Sequence, residues 1–245
     1  MYDALIGGIP EEVTVAAWAA GRHWAAVRSD EGGVGLAMRV EAETRAPVCG
    51  RDYAGIPLRE LAGCAKSWNF VEAGFGVAAI NAYYNHAGRA AARGIALPDE
   101  GRKNEAFEKY RADVAGKRVA VVGHFPYLER ILEPVCDLCI LERRPDSGDY
   151  PDPACEYILP EQDYVFITGS TLVNKTLPRL LELSRDAWTV LVGPSVTLSP
   201  ALFDFGADDL SGFIVRDSEQ CFDAVRSDEQ RSRFAAGTMV NYRRP

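Results

Sequence analysis

"DYVFITGSTLVNKTLPRLLELS", residues 163–184, sets an unbroken apolar run against a polar turn and then a segment of helical periodicity with Pro178 near its start. A short apolar run ending in Gly and hydroxyl residues reads as a strand buried on both faces, and the segment after it as a helix. Four further runs repeat the rhythm: "RVAVVGHFP" (118–126), "DLCILERRP" (137–145), "TVLVGPS" (189–195) and "LSGFIVRD" (210–217). Helical segments separate most of them. The alternation predicts a mostly parallel α/β sheet from about residue 101 to 245, with a ligand crevice at the carboxyl ends of its strands.

Those strand ends hold the first candidate residues. From Gly169, four residues lead to Asn174, Lys175 and Thr176, the spacing of a G-x-x-x-x-G-K-[ST] phosphate loop with asparagine in place of its second glycine. Leu172 and Val173 sit where such a loop wraps tight backbone around an anion, and no second apolar strand ends in a magnesium-holding aspartate. Nucleotide hydrolysis is therefore not expected. Thr168, Gly169, Ser170, Asn174 and Thr176 instead suit a carboxylate or another anion at a helix start. The plainer alternative is that Thr176 caps the helix and Asn174 braces the turn. Lys175 reads as a solvated charge rather than a Schiff-base amine. Gly193, Pro194, Ser195 and Thr197 form a second polar turn after the next strand, so the two turns together are expected to line one crevice.

The first strand of this region ends in Gly123 and His124 without a G-x-G-x-x-G, and Pro126 replaces the flexible part of a dinucleotide loop, so a standard NAD grip is not expected. Glu142 lies 19 residues beyond Gly123, about where a ribose-binding acid would stand. Its alternative is a surface pairing with Arg143 or Arg144.

The first hundred residues have another character. "VTVAAWAAGRHWAAVRS" and "GGVGLAMRVEAE" predict a meander of two or three antiparallel strands. Two helices follow, "PLRELAGCAKS" and a second opening at Asn69, with Glu72 three residues on as in a capping box. Gly74 and Gly76 within that second helix imply that a backbone or a ligand approaches it closely.

Apolar residues at 47% and charged residues at 25% indicate a folded chain, without internal repeats or low-complexity tracts. Twenty-seven Lys and Arg against 35 Asp and Glu leave a net charge of −8 with no basic run. Nucleic acid and membrane are thus not expected partners, whereas a small molecule or metal ligand is. The N-terminus lacks a secretory pattern and no stretch is long and apolar enough to span a bilayer, so the expected location is cytoplasmic. Six cysteines at irregular spacing predict free thiols, mostly buried, rather than a disulfide framework.

The segments "VAVVGHFPYLERI", "TGSTLVNKTLPRLLELS" and "VLVGPSVTLSPALFDFGADDLSGFIVRD" resemble the C-terminal domain of a family of unknown function labelled for heavy-metal chelation. "ELAGCAKSWNFVEAGFGVAAINAYYN" is similar to that family's N-terminal partner domain. The resemblance implies an enolase-N-terminal-like α+β domain over residues 1–100 and a Rossmann-like domain over 101–245. It also implies a site between them and a link to metal or corrinoid metabolism. Carried over position by position, it marks Asn69, Glu72 and Asn81, then Gly123, Thr168, Gly169, Ser170, Asn174, Thr176, Gly193, Pro194 and Ser195, as ligand-binding.

The residues themselves speak less directly of metal. Cys136 and Cys139 have C-x-x-C spacing, which suits soft ions, but they straddle a strand start and lack a second pair, so they read as core or edge cysteines. His23, His86 and His124 are far apart in sequence; His124 faces the predicted crevice and is the weak candidate metal ligand. The leading expectation is a protein that binds a metal ion, metal complex or small anion in an interdomain cleft, with a transition or heavy metal as the implied cofactor. The alternative is an α/β enzyme acting on a nucleotide-like or carboxylated metabolite, with His124 or Glu142 as acid–base residue. A purely interactive protein is the third. Ligand identity, turnover and assembly state stay open.

Overall fold

The computed structural model describes residues 1–40, 45–50, 52–98, 105–229 and 234–245. The boundary expected at residues 100 and 101 lies outside them. After a short helix α1 (Tyr2–Gly7), the predicted meander forms as β1 (Val15–Ala20), β2 (Trp24–Ser29) and β3 (Val34–Met38), an antiparallel sheet in the order β1-β2-β3. The expected first helix is shorter than its sequence pattern: α2 (Leu58–Gly63) passes at Cys64 into one 3₁₀ turn, Cys64–Lys66. Then come α3 (Phe70–Tyr84) and α4 (Ala87–Ala92).

Helix α3 is buried on nearly every side. Its sequence carries no amphipathic stripe because it has no solvent face to serve, and a helix apolar all round belongs in a core. Small residues let its neighbours reach its backbone. A Cβ at Gly76 would lie 2.0 Å from the Ala65 amide nitrogen, and one at Gly35 of β3 would lie 2.0 Å from the Ala78 carbonyl oxygen. The close neighbour of Gly76 is thus another backbone, not a ligand. Gly74 likewise faces the Met38 carbonyl oxygen, 3.3 Å from where its Cβ would be.

The second half builds one seven-stranded sheet. Its elements are α5 (Glu105–Tyr110), β4 (Arg118–Val122), α6 (Leu128–Leu132), β5 (Asp137–Glu142), β6 (Tyr150–Pro151), α7 (Cys155–Ile158), β7 (Tyr164–Thr168), α8 (Ser170–Val173), α9 (Leu177–Leu183), β8 (Trp188–Val192), β9 (Asp209–Val215), α10 (Ser218–Ser227) and β10 (Gly237–Arg243). The order is β10-β9-β8-β7-β4-β5-β6; all neighbours are parallel except β10, which is antiparallel to β9. All five predicted apolar runs are strands of this sheet. The two strands not foreseen have weak local signals: β6 is two residues long, and β10 mixes Thr238, Asn241 and Arg243 into its run.

Both sheets share a core. One buried apolar cluster runs from Val27, Ala37 and Ala78 to Val122, Ile167, Ile214 and Val240. Among the described residues, no helix is long and apolar enough to cross a membrane.

Gly76→Ala tests the tight contact of α3. An exposed helix would gain up to about 1 kcal/mol from this change. Here the added methyl must push α3 from the 3₁₀ turn, and the chain should lose about 1–3 kcal/mol in urea denaturation. A stabilised variant would show that the contact yields.

Candidate functional site

In the seven-stranded sheet the chain runs outward from β4 to β5 and β6, then returns to the other side of β4 with β7. A crevice forms at such a switch point, outside the strand carboxyl ends. Gly123 follows β4, and its missing side chain faces Thr168 at the end of β7, whose Cγ2 would be 3.0 Å from a Cβ there. Thr168 Oγ1 and Ser170 Oγ are 3.2 Å apart and half-exposed. Gly169 packs on the next turn, where a Cβ would lie 2.5 Å from the Val196 amide nitrogen. Gly193 has its nearest such neighbour in Phe125, and Pro194 follows it half-exposed. The structure therefore brings Gly123, Thr168, Gly169, Ser170, Gly193 and Pro194 together.

The stretch that looked like a phosphate loop is helical from Ser170 to Val173, with Lys175 in left-handed backbone at φ 69°. Asn174 Oδ1 accepts from the Thr176 amide at 3.2 Å and the Thr176 hydroxyl at 2.6 Å, bracing the turn. Thr176 stands at the N-cap of α9 but makes no side-chain capping bond, since its hydroxyl is spent on Asn174. Lys175 Nζ donates to the Val173 carbonyl at 3.0 Å and lies 5.5 Å and 5.4 Å from the Tyr2 and Phe70 ring centres. Burial pushes its amine down to about 8, so it is not the freely solvated charge expected.

Asn81 and Ser195 are engaged otherwise. Asn81 Nδ2 donates to the Leu36 and Ser195 carbonyl oxygens at 2.8 and 3.1 Å, and its Oδ1 accepts from the Thr197 hydroxyl. Ser195 Oγ accepts from the Met38 amide at 2.9 Å. One turn on, Asn85 donates to the Val196 and Phe213 carbonyl oxygens and accepts from the Leu198 amide. All three residues are buried. They tie α3 to the turn after β8, which satisfies polar groups that would each cost about 1–3 kcal/mol if left unpaired.

His124 lies between carboxylates. Its Nδ1 is 3.0 Å from Asp149 and its Nε2 is 2.9 Å from Glu129. The hydrogen bond to Asp149 first, then the charges of Asp149 and Glu129, hold its pKa above the ordinary histidine value, with partial burial acting against them. Below that raised pKa both ring nitrogens donate, and the protonated ring has no lone pair for a metal. Glu142 takes backbone N–H groups of His124, Arg143 and Arg144 at 3.1, 2.8 and 3.2 Å. It braces the turn through the backbones of both arginines rather than pairing with their side chains. The enzyme alternative built on these two residues finds no support here.

A group of potential metal donors lies elsewhere. Among the described residues, Cys49, Cys64 and Glu72 are the one group of three whose potential donor atoms all fall within 4.8 Å of one another. Asn69 caps α3 by accepting from the Glu72 amide at 3.2 Å, but the Glu72 carboxylate does not return to the Asn69 amide as a capping box requires. It reaches out to accept the Val48 amide at 2.9 Å and the Cys49 amide. Asn69 Nδ2 donates to the Arg45 carbonyl at 3.0 Å. Segment 45–50 is thus folded onto the start of α3, and Cys49 meets Cys64 from the 3₁₀ turn. Here the expectation of six free thiols is corrected: Cys49 and Cys64 form a disulfide, with Glu72 holding the Cys49 backbone and the 3₁₀ turn carrying Cys64. Cys136, Cys139 and Cys155 are free. Burial raises Cys136 to about 11, and it raises Cys139 too, so the C-x-x-C pair lacks thiolate character. Trp18, Tyr53 and Phe75 form an aromatic cluster at 5.0–5.5 Å on this side of the fold. Burial raises the Tyr53 hydroxyl pKa, and the nearby Glu72 charge raises it further.

Family models match two stretches, DUF364 over residues 105–244 and DUF4213 over residues 2–84, each described as "Putative heavy-metal chelation". An uncharacterized protein of Methanocaldococcus jannaschii is 36% identical over 157 residues, 60% of this chain. The match spans 55% of that protein, so the chain covers about half the length of this curated relative. A crystal structure of a DUF364 protein of unknown function from Desulfitobacterium hafniense superposes with a TM-score of 0.92 at 49% identity, covering 99% of this chain and 97% of that one. Another DUF364 protein of unknown function, from Pyrococcus horikoshii, superposes with a TM-score of 0.81 at 23% identity over the same shares, a likeness of fold.

The His124 cluster predicts a pH dependence. Its folded-state pKa lies above the unfolded value of about 6.5, so its ties stabilise fully below that pH and fade as pH rises through the folded-state value. The urea-midpoint difference between wild type and His124→Gln should therefore shrink as pH rises above about 6.5. A difference independent of pH would show that the imidazolium is not what the carboxylates hold.

Proposed function

The chain belongs to the DUF364 family, described as "Putative heavy-metal chelation", and we propose that it binds a soft metal ion through Cys49, Cys64 and Glu72 when the two cysteines are reduced. The convergence of these three donors carries the proposal. Two thiolates suit zinc, cadmium, mercury or copper(I), and a carboxylate completes a three-donor set. Glu72 is buried, and its two hydrogen bonds leave lone pairs to spare, since a carboxylate offers about four. Three protein donors leave a fourth coordination position open to water or to a ligand from an acceptor. Chelation with hand-over to another acceptor, without turnover, is the function these residues serve best.

Cadmium titration of the reduced chain, followed by thiolate-to-metal absorbance, should show about one ion per chain at this site. Cys49→Ser with Cys64→Ser should abolish that absorbance, Glu72→Gln should weaken binding by about 10-fold or more, and Cys136→Ser with Cys139→Ser should leave it intact. Full binding by the Cys49/Cys64 variant would place the metal elsewhere.

The half-exposed Thr168, Ser170 and Gly123 at the switch point favour a second reading, a small anion or metal complex held at the strand ends. Native mass spectrometry of the chain as purified should then show a bound mass that is lost in Ser170→Ala with Asn174→Ala. A bound mass that persists would remove these turns from the site.

A further inference from the structure

We propose that Cys49 and Cys64 form a redox gate on metal binding, in which one pair of sulfurs alternates between disulfide and metal-holding dithiolate. The gate rests on the chelation reading above and adds its regulation. Its premise is chemical exclusion: each sulfur has a single thiolate to give, and in the disulfide seen here that thiolate is spent on the other sulfur. A metal ion loses two of its three donors when the bond forms and regains them when it breaks.

Reversibility requires that the cysteines stay together once the bond is cut. Three hydrogen bonds ensure this without using either sulfur: Asn69 Nδ2 to the Arg45 carbonyl, and the Val48 and Cys49 amides to Glu72. Cys64 is held from the other side by its 3₁₀ turn at the end of α2. The reduced dithiol is thus placed for either fate, metal capture or reoxidation.

Burial sets the order of events. Cys49 is partly exposed, beside Val48 at 74% exposure, whereas Cys64 is 1% exposed. In oxidation by a low-molecular-weight disulfide, the Cys49 thiolate attacks one sulfur of the reagent and expels one thiol, leaving a mixed disulfide. The Cys64 thiolate then attacks the Cys49 sulfur and expels the second thiol, so two protein thiols are oxidised and one reagent disulfide is reduced to two thiols. The metal ion leaves with its charge unchanged. Reduction reverses these steps with a thiol entering at Cys49.

The test uses the full-length wild-type chain, reduced and desalted, then loaded with cadmium. Oxidised glutathione should release at least about nine-tenths of the cadmium bound at this site, with a Cys49–Cys64 linked peptide appearing in the mass map. Cadmium should in turn protect both cysteines from iodoacetamide, a readout that needs no variant. Cys64→Ser should trap glutathione on Cys49, and Cys49→Ser should leave Cys64 unmodified. Cadmium bound through these cysteines but retained after the linked peptide has formed would overturn the gate and leave chelation standing, as would oxidation that never links the two. A reduced chain whose cysteines gain no cadmium protection would instead overturn the chelation reading and the gate with it.

Discussion

Helix α3 has almost no face for solvent, and the rest of the molecule is arranged around that constraint. A helix in this position can bury its backbone only against other backbones or small side chains, which is why Gly76 meets the 3₁₀ turn and Gly35 of β3 lies on Ala78. Its polar side chains must find partners inside the protein. Asn81 and Asn85 find them in the turn after β8, more than 110 residues away, and Glu72 finds them in segment 45–50. The same helix therefore joins the small sheet to the large one and shapes the loop that carries Cys49.

That dual role explains why amide and hydroxyl residues suited to ligand contact serve partly as structural ties. Asn81, Ser195 and Thr197 have the chemistry of a binding site, yet their hydrogen-bonding capacity is directed into the joint between the two halves. Thr168 and Ser170 keep theirs at a half-exposed crevice. Polar residues near one another are thus divided between holding the fold and facing solvent, and the division follows from what α3 must satisfy.

The pairing of Cys49 with Cys64 beside the Glu72 carboxylate follows from the same constraint. Glu72 lies in the first turn of α3, and its carboxylate accepts from the Val48 and Cys49 amides. That fold-back delivers one sulfur to the neighbourhood of another. In the chelation proposed above, soft-metal chemistry and thiol–disulfide chemistry would compete for the same two atoms, which ties metal binding to the thiol balance around the site.

Much of the architecture was legible in the residues. The five apolar runs of the large sheet, the three-stranded meander and the cap at Asn69 all follow from local periodicity and local hydrogen bonding, which a short window of sequence contains. The family resemblance was legible too, in the turns after β4, β7 and β8. Strand β10 and the two-residue β6 were not, because an edge strand with mixed polarity and a two-residue pairing lack a periodic signal. The convergence of Cys49, Cys64 and Glu72 was likewise invisible, since no motif links them. The capping-box spacing pointed Glu72 back at Asn69, whereas the folded chain turns it outward to segment 45–50. Local pattern determined the elements and their alternation; only tertiary packing decided which polar groups were consumed and which donors met, because both depend on contacts between segments that no local window contains.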